Sequence, residues 1–210
     1  MKNIVVLISG GGSNLQAIID QCADGRINGK IAAVISNRPD AYGLQRAIKA
    51  GIETEVVDHT TFADRTGFDA LLLQRIEHYQ PDLVVLAGFM RILTDDFVRH
   101  FLGRMINIHP SLLPKYKGLN THQRAIETGD KEAGATVHFV SPELDGGPLI
   151  AHSTVSIERK DDALSLSKKV LAKEHQLYPE VIRWFCAGNL TYAEGLPRLN
   201  GETLQFPVKV

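Results

Sequence analysis

Short apolar runs alternate along the chain with longer stretches in which apolar residues recur every three or four positions. The runs Ile4–Ser9, Ile31–Ser36, Glu55–Val57, Leu83–Ala87, Met105–His109, Ala135–Val140 and Pro148–Ser156 have the length of strands. Helical patterns cover Asn14–Ala23, Tyr42–Ala50, Arg65–Tyr79, Asp95–Phe101, Asn120–Thr128 and Asp162–Ala187. In the third of these, Phe68, Leu71, Leu72, Ile76 and Tyr79 form a stripe that reads as core. Pro179 lacks a backbone donor and is expected to kink or split the last helix. Such alternation predicts an α/β domain on a mainly parallel central sheet of about seven strands flanked by helices. Periodicity fades after Gly188, so residues 1–188 form the expected body of the domain. Residues 189–210 are expected to be its surface tail, carrying a short strand or hairpin.

Composition narrows the function. A chain of 210 residues fits one domain, and 44% apolar with 22% charged residues is ordinary for a soluble globular protein. The net charge of −1 gives no basic signal for nucleic acid or an anionic membrane. Cys22 and Cys186 lie far apart and read as free thiols in a reducing compartment. Lys2 and the run Ile4–Ile8 only faintly imitate a signal peptide, because Gly-Gly-Gly-Ser-Asn follows where a small-residue cleavage site would stand. A cytoplasmic location and a monomeric or homodimeric state are expected.

Three loops carry candidate chemistry. Ser9-Gly10-Gly11-Gly12-Ser13-Asn14 joins a strand to a helix, a context that favours an anion held by backbone N–H groups. The alternative is a tight turn capped by Ser13 or Asn14. No Lys-Ser/Thr follows, so this is not a Walker loop, and Leu15 occupies the third glycine position of a dinucleotide fingerprint. Asn37-Arg38 ends the second strand where a dinucleotide enzyme would read a ribose phosphate, but the missing glycine argues against it and a turn explains the residues equally well. Gly88-Phe89-Met90-Arg91-Ile92-Leu93 suits either a flat heteroaromatic ring with polar edges or a loop packed on the sheet.

The strongest signal is Asn107-Ile108-His109-Pro110-Ser111-Leu112-Leu113-Pro114, followed later by Leu144-Asp145-Gly146-Gly147. Asn107 and His109 are two apart and share one face of a strand. An amide can donate to a developing oxyanion, and an imidazole can stabilise it or move a proton. A carboxylate can hold the imidazole charged and oriented. Taken alone, Asp145 would be an Asx turn and His109 a structural residue. His59, His78, His100, His122, His138, His152 and His175 show no metal-ligand spacing, so no metal is assigned.

Together, Ile8–Gln16, Pro81–Leu93, Asn107–Gly118, Thr136–Val140 and Leu144–Pro148 resemble the folate-dependent phosphoribosylglycinamide formyltransferases of purine synthesis, in the family's order and over about Asn3 to Phe185. The resemblance implies a Rossmann-like formyltransferase fold, 10-formyltetrahydrofolate as co-substrate, and transfer of its formyl group to the amine of glycinamide ribonucleotide. It further implies that Asn107, His109 and Asp145 are catalytic, that Gly12, Ser13 and Asn14 hold the substrate phosphate, and that Glu174 lies near that substrate. Arg65, Met90, Arg91, Ile92, Leu93, Asn107, Ser141, Pro142, Glu143 and Leu144 would contact the folate. Asn120 departs from members that carry histidine there, and Pro142 would alter the stiffness of the folate loop. Related formyltransferases acting on methionyl-tRNA are disfavoured by the low charge, and folate hydrolases by a first strand that starts at once.

Overall fold

In the computed structural model, which describes all 210 residues, the first strand β1 (Lys2–Ile8) shows why its sequence is an unbroken apolar run. Ile4, Val6 and Ile8 enter one buried cluster, while Val5 and Leu7 enter another on the opposite face. A strand covered on both sides has no solvent face to make polar. The same split recurs in β4 (Leu83–Leu86), with Leu83 and Val85 on the first side and Val84 and Leu86 on the second.

The other main strands are β2 (Gly29–Ser36), β3 (Glu53–Val56), β5 (Met105–His109), β6 (Glu132–Phe139) and β7 (Leu149–Ser156). All seven expected strands are present, and an eighth, β11 (Val208–Lys209), pairs with β7 at the sheet edge. The order is β11-β7-β6-β5-β4-β1-β2-β3. Only β6 runs against its neighbours; every other pairing in the sheet is parallel. The mainly parallel α/β sheet expected from the sequence is therefore what the chain forms.

Six helices flank it: α1 (Ser13–Ala23), α2 (Tyr42–Lys49), α3 (Arg65–His78), α4 (Asp95–His100), α5 (Thr121–Thr128) and α6 (Ala163–Cys186). Phe68, Leu72 and Ile76 of α3 are buried under the sheet with Phe97 and Phe101, as the stripe predicted. The α6 helix starts at a reciprocal cap in which Asp162 accepts from the Ser165 N–H and the Asp162 N–H donates to the Ser165 hydroxyl. Pro179 does not split α6, which runs unbroken through it. The interior-proline penalty of about 3 kcal/mol is outweighed by the buried neighbours Leu177, Tyr178, Val181 and Ile182.

The end of the chain is more than a surface tail. The strands β8 (Leu190–Ala193), β9 (Leu196–Leu199) and β10 (Glu202–Thr203) form a small antiparallel sheet, and Leu190 belongs to the main core. Both cysteines are free, Cys186 buried and Cys22 partly so. No helix is long and apolar enough to cross a membrane.

Candidate functional site

Strand order reverses direction between β1 and β4, because β2 and β3 extend the sheet one way and β5 to β7 the other. Ligands of open α/β sheets settle at the carboxyl ends of strands beside such a reversal. Here those ends deliver the loops Ser9–Asn14, Gly88–Leu93 and the His109–Gly118 segment to one region.

The first loop turns at Gly12, the residue preceding α1, with φ +70°. A Cβ at Gly12 would lie 2.7 Å from Gly43 Cα, so α1 and α2 approach here at a distance only glycine allows. Neither Ser13 nor Asn14 caps the helix; both are its first helical residues, and the N-terminus has no side-chain cap. Its N–H groups are therefore not engaged by a cap, as an anion site needs. Asn14 Nδ2 donates to Glu174 Oε2 at 2.7 Å, while Asn14 Oδ1 is buried without a partner. Burial raises the Glu174 carboxyl above its usual range, and the Asn14 hydrogen bond opposes this only in part. Arg46 Nε donates to the Gly11 carbonyl at 2.8 Å, which brings a guanidinium to the loop that the sequence reading did not identify.

The second region is a cleft lined by Leu86, Phe89, Leu93, Val98 and Val140, with Arg91, Ile92 and the Ser141–Asp145 loop around it. Asn107 and His138 also line it. Ile92 and Leu144 are large apolar residues left exposed beside it. Of the expected folate contacts, Arg91, Ile92, Leu93, Asn107, Ser141, Pro142, Glu143 and Leu144 all meet here. Met90 and Arg65 do not: the Met90 side chain is exposed, and Arg65 opens α3 outside the lining.

The Asn107, His109 and Asp145 set is built by strand pairing and one tight turn. In the antiparallel register Asn107 faces His138 and His109 faces Thr136. His138 Nδ1 lies 2.9 Å from the Phe139 carbonyl oxygen, so that nitrogen holds the proton and donates. Its Nε2 is thereby an acceptor, and Asn107 Nδ2 donates to it at 3.3 Å. Burial holds the His138 pKa below the usual histidine value, which favours this neutral form. The chain then returns through Asp145, which tolerates φ +47° as aspartate can. Gly147 makes the return possible, since a Cβ there would overlap the Phe139 carbonyl.

Asp145 Oδ2 accepts from the Gly118 N–H at 2.9 Å and faces His109 Nδ1 at 3.4 Å. The two side chains are each 8% exposed. His109 Nε2 lies 2.8 Å from the Tyr116 carbonyl oxygen. Both ring nitrogens thus face acceptors, and only the doubly protonated imidazole offers each a donor. Asp145 Oδ1 is also 3.9 Å from His138 Nε2, so one carboxylate stands between two imidazoles. The sequence pattern offers His138 no metal-ligand spacing and no other role; the pairing of β5 with β6 is what puts it opposite Asn107. Asn120, at φ +57° before α5, is exposed. No cluster of three or more His, Cys, Asp or Glu side chains is arranged to hold a metal ion.

Comparison with known proteins gives the family. The model of the Formyl transferase family matches residues 2–182. A phosphoribosylglycinamide formyltransferase of Escherichia coli is 52% identical over 202 residues, 96% of this chain and 95% of that protein. The human trifunctional purine biosynthetic protein adenosine-3 is 42% identical over 191 residues, 91% of this chain but 19% of that longer protein. A solved phosphoribosylglycinamide formyltransferase from Coxiella burnetii superposes with a TM-score of 0.94 at 51% identity, covering 99% of each chain. The chain belongs to the formyl transferase family.

Proposed function

We propose that this chain is a phosphoribosylglycinamide formyltransferase that moves the formyl group of 10-formyltetrahydrofolate to the amine of 5'-phosphoribosylglycinamide, in the cytoplasm. The observation that carries the reading is the convergence of Asn107 and Asp145 on one apolar cleft, with Asp145 facing the buried His109 at 3.4 Å. The cleft's apolar side chains and single arginine suit a pterin ring with polar edges. The uncapped N-terminus of α1 suits the substrate phosphate, held by Gly12, Ser13 and Asn14. Glu174, bonded to Asn14, borders the same ribonucleotide.

The neutral substrate amine attacks the formyl carbon, and the C–N bond forms as the carbonyl becomes an oxyanion. Asn107 has a second amide hydrogen beyond the one donated to His138, and that hydrogen serves the oxyanion. His109 commits Nε2–H to Tyr116, so its Nδ1–H is the proton to share between Asp145 and the oxyanion. The 3.4 Å separation is longer than a tight charge-assisted hydrogen bond, which leaves that proton available. Asp145 balances the imidazolium charge. The bond to the folate nitrogen then breaks, and the proton lost by the amine ends on that nitrogen. No enzyme nucleophile takes part.

The test is turnover of 10-formyltetrahydrofolate by the purified protein with and without glycinamide ribonucleotide. Tetrahydrofolate release that requires the ribonucleotide, with the formyl group found on it, is expected. Release without acceptor would instead make the protein a hydrolase, and no turnover in either case would overturn the assignment.

A further inference from the structure

Asn37, which ends β2 where a dinucleotide enzyme would read a ribose, is turned inward. It is 3% exposed, and Ser9, the last residue before the glycine loop, is 7% exposed. Their side chains form a directed chain of hydrogen bonds between three strand ends. The Met90 N–H donates to Ser9 Oγ at 2.7 Å, and the Ser9 hydroxyl, with its one proton, donates to Asn37 Oδ1 at 2.5 Å. The Ser9 N–H in turn donates to the Gly88 carbonyl at 3.2 Å. Asn37 is itself anchored: His59 Nδ1 lies 2.8 Å from the Asn37 carbonyl and 3.1 Å from its Nδ2. Ser9 thus grips both ends of the turn that opens the Gly88–Leu93 loop, Met90 through its hydroxyl and Gly88 through its backbone N–H, while its own backbone leads directly into Gly10–Gly12.

We propose that Ser9 and Asn37 are positioning residues that lock the anion loop and the cleft loop to each other, so that both substrates are held in one register. Neither side chain touches the Asn107, His109 and Asp145 set in any hydrogen bond of the structure. Their loss therefore acts on substrate placement through two loops at once. An alanine at position 9 leaves the Met90 N–H and Asn37 Oδ1 without their partner, and each loop relaxes separately to recover a hydrogen bond. This inference rests on the transferase reading of the site, and wild-type turnover in the same assay tests that reading separately.

The experiment is two-substrate steady-state kinetics on wild type, Ser9→Ala, Asn37→Leu and Asn37→Asp, with thermal melting of each protein. Ser9→Ala and Asn37→Leu should raise KM for both the ribonucleotide and the formyl-folate by about ten-fold, the loss expected from one buried hydrogen bond. Their kcat should stay within about three-fold of wild type, since the groups at the reacting carbon are unchanged. Asn37→Asp keeps an acceptor for Ser9 and gives the His59 ring N–H a second one, so it should restore both KM values. A rise in KM for one substrate only, unchanged KM values, or a fall in kcat alone would overturn the coupling. If Ser9→Ala or Asn37→Leu does not fold, Asn37→Asp decides: near-wild-type KM for both substrates supports the proposal, and a raised KM for either refutes it.

Discussion

Substituting Gly12 by alanine perturbs the glycine loop, proposed above to hold the substrate phosphate, at a point where the structure sets the size of the effect. Gly12 has φ +70°, and an alanine Cβ would sit 2.7 Å from Gly43 Cα, a backbone atom that no rotamer change can move. Restoring ordinary contact at 3.4 Å requires α1 and α2 to separate locally by about 0.7 Å, the difference of those two distances. A left-handed alanine costs about 1–2 kcal/mol, and forcing a packed contact apart adds about 1–3 kcal/mol. For 210 residues, with unfolding entropy of about 2.1 cal/mol/K per residue, a total of about 2–5 kcal/mol lowers Tm by about 5–11 °C. Gly11→Ala is the matched control, because its Cβ would meet nothing within 4 Å. Its Tm should move by about 1 °C or less. Differential scanning calorimetry gives both shifts, and titration with glycinamide ribonucleotide gives the accompanying loss of affinity in Gly12→Ala. Equal melting of the two variants, or full ribonucleotide affinity in Gly12→Ala, would refute the reasoning that this backbone approach shapes the loop for the ribonucleotide.

Other substitutions probe the remaining groups. Asp145→Asn removes the charge facing His109 and should lower kcat by about 10²–10³ while KM changes less; unchanged turnover would take Asp145 out of the mechanism. His138→Phe keeps a ring in the space but leaves Asn107 Nδ2 without its acceptor. A fall in kcat of about ten-fold is expected, and kcat equal to wild type would mean that Asn107 orients without it. Glu174 has a pKa raised by burial above the ordinary 4.5, so its fold-stabilising balance is intact below that value and erodes as pH rises towards the shifted one. Glu174→Gln should therefore melt close to wild type at about pH 4 and above it at about pH 8; a difference that shrank with rising pH would contradict the assigned direction.

Much of this was legible because burial writes itself into sequence. Strands β1 and β4 are covered on both faces, so Ile4–Ile8 and Leu83–Leu86 are continuous apolar runs. The Gly-Gly-Gly-Ser-Asn and Leu-Asp-Gly-Gly segments stood out because close backbone approach at Gly12 and Gly147 permits nothing larger. Strand β6 starts at Glu132, three residues before its expected start, because an exposed glutamate and Gly134 disguise its beginning. The pairing of Val208–Lys209 with Ala151–His152 is a contact between distant segments that no local period encodes. Long-range geometry also hid His138 and Arg46, whose roles arise from strand register and from the approach of α2 to α1. The same holds for Asn37, which resembles a ligand reader in sequence and is a buried hydrogen-bond anchor in the fold.

The proposed reaction is direct transfer between two bound small molecules. It is tested by a single turnover with 10-formyltetrahydrofolate carrying an isotopically labelled formyl group, with mass analysis of ribonucleotide, free formate and protein over time. Label should leave the folate and appear on the ribonucleotide at the same rate, with none on the protein. Label accumulating on the protein before the ribonucleotide, or released as formate in the presence of acceptor, would contradict it.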